Sequence, residues 1–385
     1  MSRSDFAKPP ISAVFARRQT TDVASANERQ ILDLVRRHRG ASRADLARAS
    51  GLTGQSLTRI VDGLIERGLV RFGPLEARGR GQHSSPVYIR EDGAYTFGVS
   101  MMTDALSLGL MDFDGHIVEH AYTRLDVNDV EAVTRTVRAF MDGAIGRHRL
   151  DRKRILGLGV AITGYFLGDG AKVNPPAQLD AWALIDCAAV LERALDLPVW
   201  VDNDGNAAAV GESLSGIGAE LDSFAYLFFS VGFGGGLVLN RKPYRGFNGN
   251  AGEFGTILQS DHMSPNLEIL RDYVSRGGHA FSDLGEMLDQ FDPAWPGVEA
   301  WVEEAARSLD LVISAISAVA DVEAIIFGGR IPRSLVDRLL PGLSFINPTR
   351  RQHRRPVPRL LASSVQHDAA MMGAAAMPLK DLFYS

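Results

Sequence analysis

Asp202-Asn203-Asp204-Gly205-Asn206-Ala207-Ala208-Ala209-Val210-Gly211-Glu212 is the densest polar cluster in the chain, and its texture changes halfway along. The apolar run 198–201 before it reads as a short strand, so acidic and amide groups stand at a strand end. The small residues after it open a helix that neighbours can approach closely. A carboxylate held at a strand end beside a helix N-terminus is placed to take a proton from a hydroxyl. Asn203 can donate to and accept from a polyol. The alternative is an ordinary Asx-rich helix cap.

A second cluster lies some forty residues on, Gly246-Phe247-Asn248-Gly249-Asn250-Ala251-Gly252-Glu253-Phe254-Gly255, with Glu268 close behind. Carboxylates accept hydrogen bonds from vicinal hydroxyls, so several converging on one cleft suit a sugar. The surrounding pattern supplies the cleft. Strands are expected at 95–100, 106–113 and 116–125, a helix carrying Val133, Val137, Phe140, Met141, Ala144 and Ile145, and a buried strand at 155–162. A similar opening recurs at 224–230 and 236–240, followed by a helix at 302–319 and a strand at 324–327. Two strand-then-helix lobes with a ligand between them is the architecture this implies.

The N-terminal part reads differently. Residues 1–90 carry a net charge of +8 and the remainder −13, so the overall −5 averages a basic module and an acidic body. Residues 1–24 read as a flexible arm. Ile31, Leu34 and Val35 share a helix face ended by Gly40, and Ser42 caps a short helix with Leu46 and Ala47 inward. After the turn Ser50-Gly51-Leu52, Thr53 caps a longer helix that buries Leu57, Ile60, Val61, Leu64 and Ile65. This order is a helix-turn-helix, with Gln55, Ser56, Thr58 and Arg59 facing DNA. Strands at 69–72 and 86–89 flank a Gly/Pro-punctuated loop, a wing whose Arg78 and Arg80 reach backbone or minor groove. The alternative is a basic helical interaction module.

These motifs together resemble the ROK family of bacterial sugar kinases and sugar-responsive repressors, over nearly the whole chain. Residues 203–212 resemble its Asn-Asp-x-Asn-Ala-Ala signature, and 251–255 its Ala-Gly-Glu-x-Gly segment. Ser42-Arg43-Ala44-Asp45-Leu46-Ala47 and the glycine–arginine wing resemble the repressor branch. The resemblance implies an α/β chain with an N-terminal winged helix-turn-helix and a two-lobed actin-like/ribonuclease-H-like ATPase fold. The implied divisions are 25–90 for DNA binding, 91–201 plus 365–385 for the first lobe and 202–364 for the second. It further implies sugar binding by Asn203, Asp204, Glu253 and Glu268.

Asp204 matches the general base of the kinases, yet no catalytic residue is expected here. Where the kinases end the first strand in Asp and a glycine-rich phosphate turn, this chain has Ser100-Met101-Met102-Thr103-Asp104, and Asp104 repels phosphate. The second phosphate loop survives partly as 230–236, a glycine run that alternatively makes a sheet bend. No ATP-dependent activity is expected. Thr256 stands at the family's zinc-binding His, His262 reads as a surface histidine, and Cys187 is the only cysteine, so neither zinc nor any other metal or cofactor is expected.

No apolar run approaches the roughly 20 residues that span a bilayer, and no signal-peptide pattern opens the chain. A cytoplasmic protein is the default. The expected function is a sugar-responsive transcriptional repressor whose partners are operator DNA and a small sugar or sugar derivative. Palindromic half-sites imply a homodimer or homotetramer. The rivals are a sugar kinase with a DNA-binding arm and a constitutive DNA-binding protein with a vestigial cleft.

Overall fold

The computed structural model describes residues 23–74, 76–77, 83–168, 172–258, 264–365 and 367–384. Three short helices open it: α1 (Ala26–Arg37), α2 (Arg43–Ser50) and α3 (Gly54–Glu66). Ser25 and Glu28 form a reciprocal capping box on α1, and Ser42 and Asp45 form another on α2. Gly51, at φ +73°, makes the left-handed turn between α2 and α3. Ile31, Leu32, Val35, Leu46, Leu57, Val61 and Leu64 meet in one core, while Ile60 and Ile65 are only partly buried against it. The expected arm ends early, because Ala24 is buried and Arg67 donates to the Val23 carbonyl.

β1 (Val70–Phe72) pairs antiparallel with β4 (Val87–Ile89), forming the base of the wing. Between them β2 (Glu76–Ala77) pairs with β3 (His83–Ser84), so part of the expected loop is a second hairpin. Arg78, Arg80, His262 and nearly all of the expected arm lie outside the described residues.

The body contains two sheets of the same design. In the first, β5 (Tyr95–Met101), β6 (Ala105–Asp112) and β7 (Ile117–Arg124) form an antiparallel meander. After α4 (Val130–His148), β8 (Ile155–Ile162) joins β5 in parallel. A hairpin of β9 (Tyr165–Phe166) and β10 (Val173–Asn174) and the helix α5 (Cys187–Leu195) then lead to β11 (Val199–Asn203), parallel to β8. Helix α6 (Asp204–Ser215) starts directly from β11.

The second sheet repeats the plan. β12 (Phe224–Phe229), β13 (Phe233–Leu239) and β14 (Lys242–Tyr244) form the meander. Helices α7 (Leu267–Arg276), α8 (Leu284–Asp289) and α9 (Val298–Val319) precede the parallel strand β15 (Ala324–Gly329). Helix α10 (Arg333–Leu339) leads to the edge strand β16 (Arg359–Ala362), and α11 (Ala369–Leu382) follows it. The strand orders β11-β8-β5-β6-β7 and β14-β13-β12-β15-β16 are the same order, so the coarse duplication read from sequence is a duplication of topology.

The two sheets sandwich two helices. Helix α11 lies on β5, β6 and β8, α6 lies on β12 and β13, and the two helices pack against each other. Small residues permit this. A Cβ at Gly373 would overlap the Ala207 carbonyl, and one at Gly211 the Ala369 carbonyl.

The last turn of α11 seats the DNA-type module on the body. Tyr384 donates to the Phe113 carbonyl at 2.6 Å, and the Phe383 ring meets Phe113 edge-on at 5.1 Å. Arg29 of α1 donates to the Lys380 and Tyr384 carbonyls, each at 3.3 Å. Arg39 pairs with Asp114 at 2.9 Å.

Candidate functional site

The sheet design brings the β11–α6 junction to the gap between the lobes. Asn203 caps α6: its Oδ1 accepts from the Gly205 and Asn206 amides at 2.8 and 3.3 Å, and its Nδ2 donates to the Gly164 carbonyl at 2.8 Å. The cap reading of this residue is therefore the structural one, and its side-chain oxygen is already committed. Asp204 stands one residue on, its Oδ2 accepting from the Thr163 hydroxyl at 2.6 Å and its Oδ1 from the Gly205 amide at 2.9 Å. Burial pushes its carboxyl up to about 6, against the pull of the Thr163 and Gly205 donors, and Asp368 adds to the rise.

Glu253 faces Asp204. Burial, then the Asp204 charge, pushes its carboxyl up to about 7, and it has no hydrogen-bond partner among the described residues. A desolvated carboxylate without a donor is costly to the fold, and a ligand hydroxyl would relieve it.

Groups that sequence reasoning passed over hold the Glu253 loop in place. Asp202, fully buried, pairs with Arg245 at 3.0 Å, and the Arg245 guanidinium lies over the Phe166 ring at 4.9 Å. The Asn250 side chain accepts from the Phe166 amide at 2.7 Å and donates to its carbonyl at 2.8 Å. Gly252 turns at φ +102°, where a Cβ would overlap the Gly235 carbonyl. The glycine run 234–236 belongs to strand β13, and Gly236 lets it approach the start of α6, where a Cβ would sit 2.8 Å from the Gly205 carbonyl. Packing accounts for Gly235 and Gly236 but not for Gly234, where a Cβ would meet only the Gly252 carbonyl at 3.9 Å.

Glu268 belongs to other company. It sits in the first turn of α7, paired with Arg271 at 2.7 Å. Burial raises its carboxyl, and after Arg271 its charged neighbours are Asp272, Asp104 and Arg330. Its charged neighbours differ from that of Glu253, which is Asp204.

A second corner is closed. Asp104, in the turn between β5 and β6, takes both guanidinium nitrogens of Arg330 at 2.8 and 3.0 Å, and both side chains are nearly buried. Arg330 follows β15, so the pair joins the lobes. Arg124 on β7 reaches Asp289 on α8 at 2.9 Å and Asp283 at 3.9 Å. A Cβ at Gly285 would lie 2.7 Å from Asp104 Oδ2, which shows how closely α8 is drawn in. Asp104, expected as a charge that repels phosphate, is neutralised within the chain. Ser100 is buried below, next to the Asp368 carboxyl that caps α11. Thr256 spends its hydroxyl on the Glu253 carbonyl at 2.7 Å. No group of three or more potential metal-binding side chains occurs among the described residues.

On the outer face of α3, Gln55 and Arg59 are exposed and Thr58 half-buried. The Ser56 hydroxyl accepts from Thr53 at 3.0 Å, and the Ser56 amide is bonded by the same residue, so this side chain serves the cap. Gln55, Thr58 and Arg59 line an open groove that ends in Asp62 and Glu66. The acidic second half, missed in the sequence reading, restricts anionic contacts to the first two turns. Recognition helices make their base contacts there.

The ROK family profile matches residues 96–267 and the MarR family profile matches residues 24–81. It is 27% identical to the uncharacterized protein y4fQ of Sinorhizobium fredii, over 94% of this chain and 92% of that protein. It is 26% identical to the xylose repressor of Bacillus subtilis over 61% of each chain, so the match leaves out about two fifths of that repressor. A crystal structure of a ROK family transcriptional regulator, homologous to the E. coli Mlc protein, superposes with a TM-score of 0.69 at 21% identity. It covers 93% of this chain and 96% of its own. The winged module and the two-lobed body thus share the fold of that regulator. No helix among the described residues is long and apolar enough to cross a membrane.

Proposed function

We propose that this chain is a carbohydrate-responsive transcriptional repressor of the ROK family. In this reading α3 enters the major groove of an operator through Gln55, Thr58 and Arg59, with the wing arginines Arg78 and Arg80 beside it. Two copies engage paired half-sites. A sugar or sugar derivative binds at Asp204 and Glu253, its hydroxyls donating to both carboxylates, and changes the relation of the lobes. Control follows only if the ligand binds the two lobe arrangements with different affinity. The repressors among its relatives support the reading.

One observation carries it. The sugar corner keeps an unpartnered carboxylate, while the corner that resembles the kinases' phosphate turn is filled by the Asp104–Arg330 pair. A chain that retains sugar recognition and closes its phosphate corner is suited to sensing, and phosphoryl transfer is not proposed. Neither ATP nor zinc belongs to this reading.

The test is a thermal-shift screen of pentoses, hexoses and their derivatives on the full chain, repeated with Asp204→Asn and Glu253→Gln. A ligand that shifts the wild type and neither variant supports the site. In parallel, the wild type selects duplexes from a random pool, and Arg59→Ala is expected to lose that selectivity. Sugar-dependent ATP consumption across the same panel would overturn the reading in favour of a kinase.

A further inference from the structure

The parallel strands of the second sheet start at one end, where Phe224 pairs with Ala324 and Ala324 with Arg359. That end also carries the Asp222–Arg241 ion pair, beside the turn from β13 to β14. Both members lie within electrostatic range of Arg37 on α1. The end of the sheet from which β16 starts therefore faces the winged module, and neighbouring strands are only about 5 Å apart.

The segment leading into β16 has an unusual composition. Between Asp337 and Asp368 the sequence contains no acidic residue, whereas residues 350–359 contain five arginines: Arg350, Arg351, Arg354, Arg355 and Arg359. All five are exposed. Arg354 meets the Thr349 hydroxyl and Arg355 the Ser317 carbonyl, and none of the five pairs with a carboxylate among the described residues. Most exposed arginines elsewhere in the body, such as Arg135, Arg147 and Arg152, do have such a partner.

The segment is also shaped. Arg350 and His353 exchange both backbone hydrogen bonds at 2.9 Å, and Arg351 and Gln352 between them sit at φ +51° and +66°. Two left-handed residues closed by a reciprocal pair make a tight reversal that projects neighbouring guanidinium groups outward. Left-handed backbone is unfavourable for non-glycine residues, and like charges this close repel.

We propose that this arginine turn, residues 349–359, is a second duplex-DNA surface that grips phosphates beside the half-site read by α3. The inference rests on the DNA-binding reading above and adds to it a contact made by the ligand-binding body. Guanidinium groups in a fixed turn suit the regularly spaced phosphates of a duplex. Phosphate contacts carry no sequence information, so the turn adds affinity and salt dependence and leaves selectivity to α3. It also lies on the second lobe, so lobe movement on sugar binding alters its grip directly.

The experiment measures affinity of the full chain for a mixed-sequence duplex as a function of salt. Each lost phosphate contact lowers the slope of log affinity against log salt by about 0.9. The variant Arg350→Ser/Arg351→Ser/Arg354→Ser is expected to lower the slope by about 2 to 3, and Arg351→Ser alone by about 1. A control, Arg135→Ser/Arg149→Ser/Arg152→Ser, removes as many charges from the first lobe and its slope is expected to match the wild type.

An unchanged slope in the triple variant, or an equal fall in the control, overturns the inference and leaves the function standing. A change in sedimenting mass in the triple variant also overturns it, because the turn then joins copies of the chain. A wild type that binds no duplex at any salt concentration refutes the DNA-binding reading and this inference together.

Discussion

The two corners of the interlobe cleft place the same chemical group in opposite situations. Asp104 and Glu253 are both shielded carboxylates, but Asp104 receives two hydrogen bonds from Arg330 whereas Glu253 receives none and faces Asp204. The first carboxylate holds the lobes together. The second is held at a cost to the fold, as groups reserved for a ligand commonly are. A carboxylate count would treat both corners as acidic pockets, and only the positions of the cations separate them.

The largest effect is expected behind the open corner. Arg245→Met leaves Asp202 buried without its counter-charge, and breaking such a pair costs about 3–5 kcal/mol. Urea denaturation measures it, and a loss under about 1 kcal/mol would mean that the loop is held by Asn250 and packing instead.

Next come the two carboxylates compared directly. Asp104→Asn strands Arg330 and is expected to lower stability by about 1–3 kcal/mol. Glu253→Gln removes a desolvated charge next to Asp204 and is expected to leave stability equal or higher at pH 7 while abolishing ligand-induced shifts. If the signs were reversed, the distinction between the corners would collapse.

The open corner also predicts a pH dependence. Asp204 and Glu253 titrate near 6 and 7 in the folded chain, against 3.8 and 4.5 for the ordinary groups. Between about pH 4 and pH 7 the folded state therefore holds protons that the unfolded state has released, so stability falls as pH rises through this window. Stability curves of the wild type and Glu253→Gln are expected to converge toward pH 4 and separate toward pH 8. Parallel curves would place the Glu253 carboxyl in water.

The smallest effects are expected on the outer module. Thr53→Ala removes the cap of α3 and is expected to cost about 1 kcal/mol. Arg59→Ala is expected to change stability by less than about 0.5 kcal/mol, because the side chain is exposed.

Much of this was legible because it is local. The apolar run into Asn203 and the alanines after Asp204 mark a strand-to-helix junction wherever they occur. Ser42 and Asp45, three residues apart, are a helix start in sequence and in structure. The features that escaped are those that topology makes. Arg330 lies 226 residues from Asp104, and Arg245 lies 43 from Asp202, so no spacing rule could pair them. Glu268, on the first turn of α7, pairs with Arg271, a contact set by helical spacing, while its charged neighbours Asp104 and Arg330 come from distant parts of the chain. Strands β14 and β16 have only three and four residues and carry too little alternation to be read as strands. Asp62 and Glu66 carry no local signal either, because only the folded helix sets them beside Gln55, Thr58 and Arg59.

The seat beneath the winged module has a consequence for synthesis of the protein. Arg29 bonds to carbonyls 351 and 355 residues further along the chain, and the Phe383 and Tyr384 rings fill the space between α1 and Phe113. A ribosome adds about 5–20 residues per second, so α1 waits for tens of seconds before the surface that receives it has been made. During that time the first-made helices can fold on their own core but cannot dock. A newly made winged module acquires its connection to the interlobe cleft only as translation reaches α11.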